Sequence, residues 1–386
     1  MSEWKCYKLN EISSLSNGIN FDKSAYTSGV KLIGVSDFKN RIHPDYDSLQ
    51  EVDSKVVKSG DYLEKGDIVF VRSNGNKELV GRCMIIDRDI PVTYSGFCIK
   101  LHLKDKKRFD PVFFNYLFKT RQFKKSMTGT AVGANIQNLS QSRLGSCEVS
   151  VPDIETQKRI AIILSRYDSL IENHQKQIKL LEEAAQRLYK EWFIDLHFPG
   201  HENTNIIDGI PEGWEKKKVG DLIAKVPRSK QIPTKDYQKE GMIPIIDQSR
   251  DYIAGYTDDI ESKVESNEPY IVFGDHTRVL KYVPFAFAKG ADGTQLIMSN
   301  NLDLMPQCLL FTSLVNIDLS NYSYARHFKY LKEEEFIVPT SLIANVFSKH
   351  VAKWYVKIQQ NREQLRLLTE ARDRLLPKLM SGAIEV

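Results

Sequence analysis

Two stretches of the sequence, QKQIKLLEEAAQRLYKEWF at 175–193 and REQLRLLTEARDRLLPKLM at 362–380, decide how the chain is organised. In one ungapped register they share seven identical residues over nineteen positions. A match of this kind within one chain indicates an internal repeat, in which one structural unit occurs twice. The sequence therefore predicts two related halves, each with the same amphipathic segment.

The apolar residues around both stretches recur with the spacing of a coiled coil. Steps of four and three residues alternate through each copy, which keeps one stripe of a helix facing a partner helix. The positions are Tyr167, Ile171, His174, Ile178, Leu181, Ala185, Leu188 and Trp192 in the first copy, and Trp354, Ile358, Asn361, Leu365, Leu368, Arg372, Leu375 and Leu379 in the second. The pattern predicts that the two helices pack on each other, and an ordinary core helix in each half is the alternative.

The stripe has one pair of polar positions, and a proline interrupts its second copy. His174 and Asn361 occupy equivalent positions, where polar residues either fix the register of two helices or mark a partly solvated end of the seam. Pro377 interrupts the second series, because proline lacks the amide hydrogen that an inner helical turn needs. We therefore expect Leu379 to lie past a kink or break.

Each copy also has a short β-like run and a proline ahead of its helix. CEVSV precedes Pro152 and EFIV precedes Pro339, and the roughly forty helical residues that follow would span about 60 Å. Further upstream, β-branched and aromatic runs separated by turn residues indicate a β-rich mixed domain in each half. The predicted boundaries are 1–151 for the first domain, 152–197 for the first helix, 198–213 for a linker, 214–338 for the second domain, and 339–386 for the second helix and tail.

Composition limits the class of protein. With 386 residues, 41% hydrophobic and 27% charged, the chain has room for two or three domains and is typical of a folded soluble protein. It has no apolar stretch that would cross a bilayer and no signal-peptide segment at its start, so we expect a cytoplasmic protein. Its five cysteines lack metal-ligand spacing, which argues against both a disulfide framework and a zinc site.

The charge is unevenly placed along the chain. Positions 55–125 hold sixteen basic and eight acidic residues, whereas positions 225–329 hold twelve and thirteen. A basic excess in the first half suits nucleic acid as a partner, and a lysine-rich solvated surface is the competing interpretation.

Polar loops in both halves supply the predicted DNA contacts. Arg and Lys side chains suit phosphates and guanine, and Asn suits adenine, whereas plain hairpin tips or structural loops are the alternative. The predicted contacts in the first half are Arg72, Ser73, Asn74, Asn76, Lys77 and Arg82 in RSNGNKELVGR (72–82), with Lys124, Lys125, Thr130, Asn135 and Gln137 in RQFKKSMTGTAVGANIQNLS (121–140). Those in the second half are His276, Thr277, Arg278 and Lys281 in GDHTRVLKY (274–282), with Tyr324, Arg326 and His327 in SYARHFKY (323–330).

One acidic pattern is reminiscent of metal-dependent nucleases. Asp45, Asp53 and Lys55 in PDYDSLQEVDSK (44–55) have the required spacing, but a short charged pattern recurs by chance and no third acidic ligand stands out. We therefore predict no catalytic residues and no metal site in this chain.

Taken together in this order, several segments resemble the DNA-specificity subunit of type I restriction-modification enzymes over essentially the whole chain. The segments are GTAVGANIQNLS (129–140), VPDIETQKRIA (151–161), RLYKEWFIDLHFPG (187–200), GIPEGWE (209–215) and RDRLLPKLMSGAI (372–384). The resemblance implies an α+β fold with two β-rich target-recognition domains and a pseudo-two-fold internal repeat. Each domain would read half of a bipartite DNA sequence, and two long antiparallel helices, forming a coiled coil, would set the spacer between the halves.

The resemblance also implies the partners. The chain itself would have no catalytic activity and no cofactor. It would bind double-stranded DNA, two methyltransferase subunits that use S-adenosylmethionine, and restriction/translocase subunits that use ATP, with magnesium also in the partner subunits. A stand-alone metal-dependent nuclease and a coiled-coil adaptor without DNA reading are the alternative functions.

Overall fold

The two predicted long helices are both present in the computed structural model, as Ile154–Tyr189 and Ser341–Met380. The structure describes residues 4–38, 41–73, 79–128, 138–322 and 326–386. The chain divides into two units, Met1–Glu172 with Arg366–Val386 and Asn173–Leu365. The division falls inside both long helices, so that each unit contains one end of each helix. No helix in the described ranges is both long and apolar enough to cross a membrane.

Unit 1 combines short strands with small helices. Its elements are β1 Lys5–Lys8, α1 Leu9–Ile12, β2 Ser13–Asn17, β3 Tyr26–Ile33, β4 Gln50–Val52, β5 Ile68–Val71, β6 Cys83–Ile85, β7 Val92–Tyr94, β8 Cys98–Leu103, α2 Pro111–Lys119, α3 Arg121–Thr128, α4 Gln141–Gly145, β9 Glu148–Val151 and the start of α5 Ile154–Tyr189. The strands form the sheets β2-β8-β5-β6 and β4-β3-β7 and the pair β1-β9.

Unit 2 repeats this plan with small additions. Its elements are the end of α5, a π-helical turn Lys190–Ile194, β10 Ile206–Ile207, β11 Ile210–Pro211, β12 Glu215–Lys218, α6 Val219–Leu222, β13 Gln231–Ile232, β14 Ile243–Ile246, β15 Gly255–Thr257, β16 Lys263–Val264, β17 Tyr270–Gly274, β18 Leu280–Val283, β19 Phe287–Gly290, β20 Thr294–Ile297, α7 Gln307–Val315, α8 His327–Glu333, β21 Glu335–Val338 and α9 Ser341–Met380. The end of α9 belongs to unit 1.

The strand pairing shows that the two units share one topology. β1 pairs antiparallel with β9, and β12 pairs with β21 in the same way, so the first strand of each predicted domain pairs with the strand before a long helix. β3 runs parallel to β7, as β14 does to β19. β5 lies between β8 and β6, as β17 lies between β20 and β18. The internal repeat is therefore structural as well as sequential.

The central strand β5 of unit 1 reads as a continuous apolar run because both of its faces are buried. Successive side chains of a strand point to opposite faces. Ile68 and Phe70 therefore enter the core that also contains Phe113 and Phe114 of α2, whereas Val69 and Val71 enter a second cluster. A strand fixed on both faces gives the loop that follows it a rigid starting point.

The antiparallel arrangement of the long helices can be seen within each unit separately. In unit 1, Ile160 and Leu164 near the start of α5 share a core with Leu379 and Met380 at the end of α9. In unit 2, Trp192 and the other aromatic residues that follow α5 share a core with Phe347 near the start of α9, and the rings of Trp192 and Phe347 lie 5.7 Å apart. The first part of one helix packs on the last part of the other, as expected for an antiparallel coiled coil.

Two sequence expectations need correction. Of the kink or break expected at Pro377, the break was wrong, because α9 continues through Pro377 to Met380. Proline removes only one helical hydrogen bond, and burial of Leu379 and Met380 in the core holds the last turn in place. The predicted linker 198–213 also contains structure, since β10 and β11 form a hairpin whose turn residues Asp208 and Gly209 both have positive φ, the geometry of a type I′ turn.

Candidate nucleic-acid interface

In unit 1, three loops meet where the central strand β5 ends. The backbone N–H of Arg72, the first residue after β5, donates to the carbonyl of Phe97 in the turn between β7 and β8, at 2.8 Å. The carbonyl of Arg72 accepts the N–H of Leu139, also at 2.8 Å, and Ser73 forms a β-bridge with Asn138. The two predicted loops, 72–82 and 121–140, are therefore brought together at Arg72.

Unit 2 has the same arrangement at the end of β17, and we call this meeting point of three loops the junction of each unit. The N–H of Asp275 donates to the carbonyl of Gly293 at 2.6 Å, and the carbonyl of Asp275 accepts the N–H of His327 at 3.0 Å. Asp275 therefore corresponds to Arg72, Gly293 to Phe97, and His327 to Leu139. The Asp275 carboxylate also accepts the N–H of Phe328 at 2.8 Å, which fixes the first turn of α8.

The loop after each central strand is closed by backbone hydrogen bonds. The N–H of Gly81, at φ 79°, donates to the carbonyl of Val71 at 2.9 Å. In the second unit the N–H of Arg278 donates to the carbonyl of Gly274 at 2.8 Å, and Arg278 itself has φ 61°. A residue other than glycine rarely adopts a positive φ, and this conformation costs free energy. The hydrogen bond that closes the loop holds the backbone of Arg278 in it and so determines where the Arg278 side chain projects.

The described DNA-contact candidates differ in exposure. Arg72, Ser73 and Arg82 are half-buried, whereas Lys124, Lys125, His276, Thr277, Arg278 and Arg326 are exposed. Asn74, Asn76, Lys77, Thr130, Asn135, Gln137 and Tyr324 lie outside the described residues. The guanidinium of Arg72 donates to the carbonyl of Gly96 at 3.4 Å, and that of Arg278 donates to the carbonyl of Leu319 at 3.0 Å. Both arginines are thus held by the loop cluster of their own unit.

Lys281 does not suit a DNA contact. Its side chain is 4% exposed and lies 3.7 Å from a carboxylate oxygen of Asp247, and its Nζ donates to the carbonyl of Asp251 at 2.5 Å. Burial lowers the pKa of Lys281, while the neighbouring carboxylate of Asp247 opposes that shift. The position lies on β18, whose last three residues are all buried, so Lys281 holds the β14–β15 loop instead of reaching DNA.

His327 also needs correction. The residue is 6% exposed, and its ring nitrogens Nδ1 and Nε2 lie 2.8 Å from the carbonyl oxygens of Asp275 and Tyr322. Both polar atoms of the ring are therefore used within the protein. His327 positions the junction, and the exposed neighbour Arg326 remains the described contact candidate of that segment.

Gln248 is a junction residue that the sequence patterns did not single out. Its side-chain amide donates to the carbonyl of Asp292 at 2.9 Å and accepts the N–H of His276 at 3.1 Å, while its backbone carbonyl accepts the hydroxyl of Thr277 at 2.6 Å. One glutamine therefore ties the loops of unit 2 together. The β-branched run IPIIDQS (243–249) indicates a strand but not this role for Gln248.

The nuclease-like residues have structural roles in unit 1. The carboxylate of Asp45 lies 2.7 Å from the guanidinium of Arg41, and the carboxylate of Asp53 accepts the N–H of Lys55 at 2.9 Å, capping a 3-10 turn. In the described residues no group of three or more His, Cys, Asp or Glu side chains is arranged to hold a metal ion. Both carboxylates therefore have contacts within unit 1.

Comparisons with known proteins identify relatives of this chain. The family model of the type I restriction modification DNA specificity domain matches residues 1–183. The type I restriction enzyme MjaIX specificity subunit of Methanocaldococcus jannaschii is 32% identical over 298 residues, which are 70% of this chain and 68% of that protein. The HindI specificity subunit of Haemophilus influenzae is 23% identical over 100% of both chains.

A solved structure shares the fold. The crystal structure of a type I restriction-modification system S subunit from M. genitalium has a TM-score of 0.66 at 17% identity, covering 98% of this chain and 96% of that chain. The duplicated domains and antiparallel helices define a two-domain protein whose two loop junctions are built alike. The chain belongs to the family of type I restriction enzyme specificity subunits.

Proposed function

We propose that each unit reads one half of a bipartite DNA target and that the helices α5 and α9 set the distance between the halves. The observation that carries this proposal is the duplicated junction, in which Arg72 and Asp275 make equivalent backbone bonds to a turn and to the segment before a helix. Two domains with the same backbone arrangement suit two half-sites, because the exposed side chains that contact the bases can differ between the domains.

The differing side chains around the two junctions support this division. Arg72, Lys124 and Lys125 give the first unit basic groups for phosphates and guanine. The second unit presents His276, Thr277 and Arg278 in the equivalent region. Equivalent frames with different contact groups would read different bases, which is what an asymmetric bipartite target requires.

The outer surfaces of the long helices support docking of two copies of one partner. Leu180 and Leu367 occupy equivalent repeat positions and are 53% and 44% exposed. Each lies beside a charged row in which a glutamate pairs with basic residues one turn before and after it. The rows are Lys179–Glu183–Arg187 in unit 2 and Arg366–Glu370–Arg374 in unit 1.

We assign these two surfaces to two methyltransferase subunits. An exposed leucine beside a charged row offers an apolar contact with a polar rim, the arrangement of a protein interface, and its duplication matches a partner present twice. Methylation with S-adenosylmethionine, and ATP- and magnesium-dependent translocation and cleavage, would then lie in the methyltransferase and restriction subunits, with no catalysis in this chain. The complex would act on DNA in the cytoplasm.

Methylation profiling of cells that express the complete system tests this function directly. We expect methylated adenines within one bipartite motif with a fixed spacer. The purified complex should bind that DNA with an affinity that falls steeply as salt rises, because phosphate contacts release counterions. A complex that binds target and scrambled DNA equally at every salt concentration would contradict the proposal. DNA cleavage by the isolated chain with magnesium, abolished by Asp53→Ala, would favour a nuclease instead.

A further inference from the structure

Phe97 is an aromatic side chain that the fold leaves in solvent. It is 62% exposed, whereas the flanking Tyr94 and Cys98 are 1% and 0% exposed. Tyr26, the other exposed aromatic residue among those described, packs its ring edge-on against Phe21 at 5.2 Å. Among the described residues, Phe97 belongs to neither hydrophobic cluster of unit 1 that surrounds β5, so its ring is available to a ligand.

The backbone around Phe97 holds it in a fixed position. The N–H of Gly96 donates to the carbonyl of Ile19 at 2.7 Å, and the N–H of Cys98 donates to the carbonyl of Ser95 at 2.8 Å. A Cβ at position 96 would lie 2.1 Å from Oδ1 of Asn20, so a larger residue there would require the Asn20 side chain to move. The carbonyl of Phe97 then accepts the N–H of Arg72. The phenyl ring is therefore presented from a rigid turn that is bonded directly to a predicted DNA-contact loop.

The second unit has no side chain at the corresponding position. Gly293 takes the place of Phe97, with φ 73°, and a Cβ there would lie 2.7 Å from the His276 ring and 2.9 Å from the side-chain amide of Gln248. The same frame therefore presents an apolar ring in one unit and polar groups in the other. This difference lies at the junction where each unit would meet its half-site.

We infer that Phe97 is a base-contacting residue of the first half-site, where its ring packs against the 5-methyl group of a thymine in the major groove. This inference rests on the proposed DNA-reading function. The thymine methyl is the apolar group that a base pair displays in the major groove, and phenylalanine is one of the residues suited to it. Arg72, bonded to the same turn, suits guanine in that groove, so the two side chains would read neighbouring base pairs.

The test replaces each thymine of the methylation-defined target by deoxyuridine, which removes only the 5-methyl group. The assembled complex with its methyltransferase subunits is used, with wild-type, Phe97→Ala and Phe97→Leu chains. In the first half-site we expect one replacement to weaken wild-type binding about fourfold, the effect of one buried methyl group. The same replacement should leave Phe97→Ala binding unchanged, and Phe97→Leu should keep part of the sensitivity.

Tyr26→Ala is the matched control, because Tyr26 begins β3 at the end away from Ile33, the residue that pairs with Tyr94 beside the turn. It should keep wild-type affinity and sensitivity. The inference is overturned if no first-half-site thymine is sensitive in the wild type, or if Phe97→Ala keeps the sensitivity. Weaker binding by Phe97→Ala with the sensitivity retained would indicate base-step insertion or a protein contact instead. If the wild-type complex does not distinguish target from scrambled DNA, the proposed function itself fails.

Discussion

The side chains of His174 and Asn361, which are 187 positions apart, are hydrogen-bonded at equivalent positions of the two long helices. His174 Nδ1 lies 3.1 Å from Oδ1 of Asn361, and the Asn361 amide donates to Oε1 of Gln177 at 3.2 Å. Asn361 is completely buried. The pair is therefore a buried polar contact between α5 and α9 and not a solvated end of the seam. A buried polar pair of this kind fixes the register of two helices at a cost in stability.

Asn361→Ala should destabilise unit 2 by about 2 kcal/mol, because it leaves His174 and Gln177 without their buried partner. His174→Leu combined with Asn361→Leu should restore most of that loss, since an apolar pair suits the seam. Urea unfolding of His174→Leu, Asn361→Leu and the variant with both substitutions gives the coupling energy. A coupling below about 0.5 kcal/mol would mean that the two residues act independently.

Arg372 occupies a predicted seam position but forms an ion pair. Its guanidinium lies 2.6 Å from Oδ1 of the buried Asp168, whose other oxygen accepts the Tyr116 hydroxyl at 2.5 Å. Arg372→Met should cost about 3 kcal/mol, because it leaves a buried carboxylate unpaired. Arg374→Met is the control. Arg374 is 73% exposed and pairs with Glu370, so its loss should cost less than about 1 kcal/mol in the same urea titration. Equal losses for the two variants would contradict the buried-pair account.

The duplicated surface predicts a change in stoichiometry. Leu180→Ser should weaken one methyltransferase site and Leu367→Ser the other, since each removes the apolar centre of one contact. Native mass spectrometry of the purified complexes should then show one methyltransferase subunit in place of two for each single variant, and few or none for the double variant. Leu342→Ser is the matched control, because Leu342 is 72% exposed on α9 outside the repeated row. Unchanged stoichiometry in the double variant would exclude this surface.

The arginines of the two junctions should affect different half-sites. Arg72→Ala should relax base preference or weaken binding at one half-site, and Arg278→Ala at the other, with a loss of about 1–3 kcal/mol each. Binding competition with targets altered in one half-site at a time measures this. Lys263→Ala, an exposed residue paired with Glu265, is the control. Equal loss at both half-sites for either arginine variant would indicate a general charge effect or misfolding.

The long helices and the repeat were predictable because they depend on spacing. A stripe of apolar residues over many turns leaves few alternatives to a packed helix pair. The roles of Lys281 and His327 were not predictable. Both are polar residues beside exposed loops, and only the three-dimensional paths of β18 and α8 show that their side chains turn inward.

Phe97 and Gln248 show a second limit. Neither belongs to a motif, and a single phenylalanine after a glycine reads as the start of a buried strand. Their importance arises from long-range contacts, such as the bond from Arg72 to the carbonyl of Phe97. An alignment of the two halves on Arg72 and Asp275 would have located the equivalent turns, but the low similarity of the loops hides that register in the sequence.

Removing one heptad from each long helix tests the central claim most directly. The segments 171–177 and 358–364 are suited, because together they contain His174, Asn361 and Gln177 and their removal leaves the seam in phase. At about 1.5 Å per helical residue and about 3.4 Å per base pair, the two matched deletions together shorten the helix pair by the length of about three base pairs. Methylation profiling of cells expressing the complete system should show the same half-site bases with a shorter spacer. Altered half-site bases with an unchanged spacer would contradict the account.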